Sequence, residues 1–391
     1  MRSTDRYDRS ALVAVLILAV IVVAGSLFGH SAPAQASTCG HDAVALDGLF
    51  GGEAGRVVGA DYLRAYQLPN GTTLVLMQDV FLGPASGKPV RSLGSADFVH
   101  NAGVLLDRDG CVARTITGEG SYLGGDLTRP LARWFWAMGG ALGPDGVLHV
   151  LVAEMVNPAR TGAAIGATPV ATWRATIDPP SLEVTSFQPA ADGGASLFGW
   201  AVASDAEHTY LYSHCNRQFV PGEVFGHDTS CTADVRVARV PRGHLEVIPE
   251  YFDGTGWSPD SAAAAILDFP GARAVNPVSV QQFGAGFIAV SKEGDWWGTT
   301  IYVDTAPSAT GPWTTVATLT PEPKCADCNT YFASLMPWRQ RDGALVVGLS
   351  NNAWDMQGVA YEQPALYRSS FHAIPLPVAP KMRRAEERIS A

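Results

Sequence analysis

The sequence predicts an all-β protein: a five-bladed β-propeller with four-stranded blades, preceded by an N-terminal signal or anchor segment. Three observations carry that expectation. After residue 40 hardly any stretch keeps a helical period, and the fair candidate, "PDSAAAAILDF" (Pro259 to Phe269), is short. What recurs instead is a short strand, a tight turn at Gly, Asn or Asp, and another strand. These units fall into five groups of four at a spacing of about 60–75 residues, the scale of propeller blades with long loops. A pair of β-sandwiches would also give many short strands, but recurrence in the same order favours the propeller.

The elements follow in chain order. Arg2, Arg6 and Arg9 precede the uncharged run "ALVAVLILAVIVVAGSLFG", and "APAQAS" then supplies Ala34 and Ala36 at the spacing a signal peptidase reads. The run is also just long enough to span a bilayer, so cleavage after Ala36 and retention as an anchor both stay open, cleavage being favoured. Either way the remainder is expected outside the cytoplasm, with any membrane contact confined to residues 1–36. An extension occupies residues 37–55 and the propeller residues 56–378.

The first blade reads "VVGADYLRAYQL", "TTLVLMQDV", "FVHNAGVLLD" and "CVARTIT", the second "WFWAMGGAL", "VLHVLVAEM", "PVATWRATI" and "LEVTSFQ". The third reads "LFGWAVAS", "HTYLYSHC", "DVRVARV" and "HLEVIPEYF", the fourth "NPVSVQQF", "GFIAVS", "TTIYVDT" and "WTTVATL". The fifth reads "YFASLMPW", "ALVVGLSN", "QPALYRS" and "FHAIPL". The tail, residues 379–391, mixes charges and is expected to be disordered.

Composition narrows the function classes. Charged residues are 16% and hydrophobic ones 47%, with 41 Gly and 26 Pro, which describes a turn-rich folded chain. A formal charge of −10 excludes a nucleic-acid binder that works by displacing counterions from phosphates. All six cysteines follow the signal, and an even count in an exported chain points to disulfides. Proximity suggests Cys215–Cys231 and Cys325–Cys328, leaving Cys39–Cys111. There is no Gly-x-Ser-x-Gly elbow, no phosphate-cradling Gly loop and no His-Glu-x-x-His. No metal site or cofactor is predicted, although a structural cation in the central channel is compatible with the carbonyls and carboxylates such channels collect.

In a four-stranded blade the loop after the second strand and the entry to the innermost strand meet at one mouth of the channel. The second strands end near Asp79, Glu154, His214, Glu293 and Asn351, so each blade offers a polar or ionisable group there. Asp61 differs, because it starts an inner strand in "GADYLRAY", where the others offer Trp136, Phe198, Asn276 or Tyr331. A lone carboxylate on a crowded axis suits a general base or nucleophile. "DFVHN" brings Asp97, His100 and Asn101 toward the same face, either to hold substrate hydroxyls and tune a carboxylate or to satisfy loop carbonyls. Trp134, Trp136, Trp296, Trp297 and Trp354 are candidates to stack on sugar rings.

"GADYLRAYQLPNGTTLVLMQDVFLG", "DFVHN", "RVARVP", "YFDGTGWS", "NPVSV" and "APSATGPW" together resemble a family of exported actinobacterial five-bladed propellers, formerly of unknown function, that includes endo-D-arabinanases. The Gly-Pro-Trp turn is similar, more distantly, to that of furanoside-cleaving propeller glycosidases. The resemblance covers about residues 55–370. It implies that Asp61 matches the acid at the start of the first blade and Asp79 the acid in the strand-ending pattern, where Gln78 replaces a Gly. The second blade departs, reading "WFWAMGG" where an acid is expected, and "SLMPWRQ" lacks a His before its Pro.

Two functions follow. One is a glycoside hydrolase on a furanose, arabinan-type cell-envelope polysaccharide, with Asp61 as nucleophile or base, Glu293 or Glu154 as acid, and Asp79 tuning a pKa or holding a hydroxyl. The other is a non-catalytic propeller that binds envelope glycan or a protein partner. An enzyme should bring Asp61 within reach of a second acid at an open mouth. A binder should show aromatic platforms and no such pair.

Overall fold

The computed structural model describes residues 39–51, 54–118, 120–124, 133–156, 168–190, 197–214, 234–273, 275, 277–294 and 298–376. The segment before residue 39, the Cys215–Cys231 pair, Asn276, Trp296, Trp297 and the tail lie outside the described residues.

Five antiparallel sheets follow one another along the chain, each a run of neighbouring strands. The first blade is β1 (Val57–Gln67), β2 (Thr73–Leu82), β3 (Asp97–Leu106) and β4 (Val112–Ile116). The second is β5 (Arg133–Leu142), β6 (Leu148–Val156), β7 (Thr168–Ile177) and β8 (Val184–Pro189). In the third, β9 (Leu197–Ser204), β10 (His208–His214), β11 (Val237–Pro241) and β12 (Glu250–Phe252) gain a short outer strand, β13 (Trp257–Ser258). The fourth holds β14 (Val278–Phe283), β15 (Gly286–Lys292), β16 (Ile301–Ala306) and β17 (Thr314–Leu319). The fifth holds β18 (Cys328–Arg339), β19 (Leu345–Ala353) and β20 (Ser370–Ile374).

The apolar runs of the second strands have a physical reason. β2 is buried at every position, because a middle strand is covered on both faces by the neighbouring blades. Outer strands such as β4 and β8 have exposed residues and read as mixed. Leu74, Leu76, Tyr66 and Tyr122 of the first blade meet Phe135, Val150 and Val152 of the second, and each later junction repeats the arrangement with its own apolar cluster. Burying each leucine fully contributes roughly 1.5–3 kcal/mol.

Two expectations about the fifth blade and the chain start are corrected. "QPALYRS" is no strand: Pro364–Tyr367 forms a 3₁₀ turn, with Pro at its start where a missing N–H costs nothing. The third strand is "SFHAI", so this blade has three strands among the described residues. The missed helix is α1 (Ala43–Gly51) in the extension before the propeller, whereas Pro259–Phe269 supplies only a 3₁₀ turn at Ser261–Ala263.

α1 closes the ring. Its Leu46, Leu49 and Phe50 pack in one cluster with Val57, Val75 and Val104 of the first blade and Met336, Val346 and Phe371 of the fifth. Asp47 Oδ1 accepts from the Phe371 backbone N–H at 3.0 Å, and Arg368 donates to Gly51 O at 2.9 Å and Val58 O at 2.8 Å. The Cys39–Cys111 disulfide fixes the segment before α1 to the β3–β4 turn, while His41 stacks on Trp338 of the fifth blade at 4.6 Å. Cys325–Cys328 forms the second disulfide.

The "APSATGPW" turn is a junction piece. Its Gly311–Pro312 bond is cis, Tyr212 of the third blade donates to Ala309 O at 2.9 Å, and Trp313 stacks on Phe269 at 5.0 Å.

Candidate active site

The sheets place one end of β1 beside β18 across the seam between the first and last blades. β1 pairs irregularly with β2, and the last of its register shifts lies between Asp61, opposite Gln78, and Arg64, opposite Leu76. Tyr62 takes a φ of 54° in the resulting bulge. β18 makes the same departure: Tyr331 lies opposite Ser350, Ser334 opposite Gly348, and Phe332 has a φ of 52°. In β9 the corresponding left-handed residue is Gly199, with φ 92°, and a Cβ there would lie 2.1 Å from Leu151. Tyr331 therefore holds in the fifth blade the place that Asp61 holds in the first. Its hydroxyl donates to Asp61 Oδ1.

Asp79 is the second carboxylate, near the end of β2 and itself in left-handed backbone with φ 44°. Its Oδ1 accepts from Trp136 Nε1 at 3.3 Å and lies 2.9 Å from His100 Nδ1. His100 in turn lies flat against Trp134, with ring centroids 4.8 Å apart. Asp79 and His100 are both largely buried, with side chains 11% exposed.

Tyr367, delivered by the 3₁₀ turn, joins the two acids. Its hydroxyl donates to the Asp79 carbonyl at 3.0 Å and is within hydrogen-bonding reach of the Asp61 side chain. Burial first, and then the charge of Asp61, pushes this phenol well above its ordinary value, so it remains a donor at working pH. Five non-glycine residues among those described have positive φ, and Tyr62, Asp79 and Phe332 are three of them. Such backbone costs roughly 1–3 kcal/mol and concentrates at functional sites.

The other expected residues divide. Trp136 and His100 join the Asp79 cluster directly. Asn101 is spent on the fold: its Nδ2 donates to Leu123 O and Phe135 O at 3.0 and 2.9 Å, and its Oδ1 accepts from Leu123 N at 2.6 Å. Asn351 likewise donates to Arg368 O at 3.0 Å and Ser370 Oγ at 3.1 Å. His214 packs on Trp200 at 4.3 Å. Asp97 is exposed at the start of β3.

Glu154 forms an ion pair with Arg133 at 2.7 Å and accepts from Trp173 Nε1 at 2.6 Å. Glu293 accepts from Tyr302 at 3.2 Å. Among the described residues, the partners of these glutamates are Arg133, Trp173 and Tyr302.

Tyr367 and Phe98 are additions that sequence reasoning missed. Phe98 is 44% exposed and meets the edge of His100 at 5.0 Å. The period-two spacing of Phe98 and His100 in a strand was the available signal. For Tyr367 the signal was Pro364, which marks a helical start. Among the described residues, no group of three or more His, Cys, Asp or Glu is placed to hold a metal ion.

Comparison with solved structures returns propellers. A "putative hydrolase" from Bacteroides ovatus superposes with a TM-score of 0.58 at 17% identity, covering 82% of this chain and 86% of that one. A GH43 β-xylosidase/α-arabinofuranosidase from a compost microbial metagenome gives 0.47 at 15% identity, covering 82% and 92%. A GH43_1 enzyme from Xanthomonas citri gives 0.46 at 17% identity, covering 81% and 87%. The likeness to the first of these, at 17% identity, is one of fold. No curated protein matches the chain. A family model does match, over residues 46–374, and the chain therefore belongs to the family described as Domain of unknown function (DUF5005).

Proposed function

We propose that this protein is an extracytoplasmic glycoside hydrolase acting on furanose linkages of an arabinan-type cell-envelope polysaccharide, with Asp61 and Asp79 as its carboxyl pair. One observation carries the reading: Asp61 and Asp79, on adjacent strands of one blade, are both touched by the Tyr367 hydroxyl, Asp61 through its carboxylate and Asp79 through its backbone carbonyl. The resemblance of short motifs such as "DFVHN" and "APSATGPW" to those of arabinan-cleaving propellers supports the substrate class. The leader-like N-terminus and the Cys39–Cys111 and Cys325–Cys328 bridges support the location.

Glycoside cleavage needs one carboxyl to protonate the leaving oxygen and another to attack the sugar or activate water. Asp61, held by phenol donors on the inner strand, takes the nucleophile or base role. Asp79 takes the acid role in place of Glu293 or Glu154, because His100 beside it can return a proton between turnovers. Phe98 offers the sugar an exposed ring at the edge of this cluster.

The test is the full chain in mild detergent with arabinogalactan, assayed for released oligosaccharides. Asp61→Asn should abolish release and also hydrolysis of an aryl furanoside with a good leaving group. Asp79→Asn should abolish release from the polymer yet spare much of the aryl furanoside activity, since that leaving group needs no proton. Binding of the polymer by folded parent protein without release would sink the hydrolase reading and leave a glycan-binding propeller.

A further inference from the structure

We propose that Lys324 is a positioning residue of the candidate active site: it clasps the Pro364–Tyr367 turn to the loop that opens β18, and so keeps the Tyr367 hydroxyl on the Asp79 carbonyl and beside Asp61. The effect on rate rests on the hydrolase reading, whereas the clasp itself does not.

Tyr367 ends a 3₁₀ turn of four residues. The last carbonyls of a helical turn find no partner inside it, and a single turn has few hydrogen bonds of its own to hold a side chain in place. Lys324 Nζ supplies donors from outside, to Ala365 O at 2.9 Å and Arg368 O at 2.6 Å, the carbonyls on either side of Leu366 and Tyr367. A cation at this end of a turn is also favoured by the peptide dipoles. Burial lowers the amine to about 8, with Asp47 opposing and Arg368 adding to it, so it stays mostly charged at neutral pH.

The other end of the clasp is fixed as well. Cys325, next in the chain, is bridged to Cys328, the first residue of β18, whose N–H donates to the Cys325 carbonyl at 3.1 Å. Cys328 packs with Leu366 of the turn, and Cys325 lies against the same cluster. Three residues along β18 from Cys328 stands Tyr331, the other phenol on Asp61. One short loop therefore sets both phenols against one carboxylate.

Backbone hydrogen exchange of the full chain in mild detergent would compare the parent with Lys324→Met and Lys324→Arg, beside kinetics on an aryl furanoside. Lys324→Met should speed exchange across residues 364–370 and leave β2 at parent rates. Its kcat should fall about tenfold with KM little changed. Lys324→Arg, which keeps the charge, should recover most of both. Parent-like exchange in Lys324→Met overturns the clasp, as does faster exchange spread over all five blades. An unchanged kcat beside an active parent overturns the positioning role. If the parent cleaves nothing, the hydrolase reading fails and the exchange result alone decides the clasp. Should Lys324→Met fail to fold, Lys324→Gln, shorter and uncharged, takes its place.

Discussion

The hydroxyl of Tyr331 donates to the carboxylate of Asp61, joining the last blade to the first. The contact arises because β1 and β18 make the same bulge, so one blade supplies an acid where the other supplies its donor. Asp61 is therefore positioned by ring closure, and α1, the Cys39–Cys111 bridge and the His41–Trp338 stack all act at that seam.

Removing either phenol should disturb chemistry more than folding. A hydrogen bond to a charged group contributes about 1.5–3 kcal/mol, or roughly 10- to 100-fold in rate if it is felt in the transition state. Tyr331→Phe and Tyr367→Phe are expected to lower kcat within that range, with KM little changed and the melting temperature near that of the parent. Steady-state kinetics on an aryl furanoside, beside thermal melts, check this.

The blade strands were legible because apolar runs and turn residues report directly on burial, and "TTLVLMQDV" is β2 almost to the residue. That His100 stands beside the Asp79 carboxylate was legible too, since the end of the second strand and the start of the third are neighbours in the blade. The partners of Asp61 were not. Tyr331 and Tyr367 are 270 and 306 residues from Asp61, and their approach depends on a bulge and a 3₁₀ turn with no local period. Glu154 looked equivalent to Asp79 by strand position, but Arg133 and Trp173 engage it, partners that strand position alone does not reveal.

Asn101→Ala should destabilise the fold. The side chain, 1% exposed, makes two hydrogen bonds to Leu123 in the linker between the first two blades and one to Phe135 of β5, at 2.6–3.0 Å. Leaving those buried groups unpaired costs about 1–3 kcal/mol for each lost partner, so a total above about 3 kcal/mol is expected. Urea unfolding should show the midpoint falling sharply, and a change below 1 kcal/mol would count against this account.

Cutting the Cys39–Cys111 staple should cost stability that grows with the loop it closes. Cys39 and Cys111 are 72 residues apart, and the loop-entropy relation gives about 4 kcal/mol for that length. The double variant Cys39→Ser/Cys111→Ser should therefore unfold at markedly lower denaturant than the parent. The 3-residue separation of Cys325–Cys328 predicts a smaller loss for its removal. Equal losses would show that strain or local packing, not loop closure, governs both.

His41 predicts an acid weakness at the same seam. Burial is the main influence that lowers its pKa from the ordinary 6.5, with Asp107 acting the other way. Its Nε2 is buried without a partner, and the ring stacks on Trp338. The folded protein thus binds this proton less readily than the unfolded chain. Stability from this group is present above the unfolded value of about 6.5 and is lost as pH falls toward the folded one. Melting temperature should decline below that pH in the parent, and His41→Phe, which keeps a ring against Trp338 and cannot take a proton, should decline less steeply. Parallel curves for the two proteins would show that His41 does not set the acid limit.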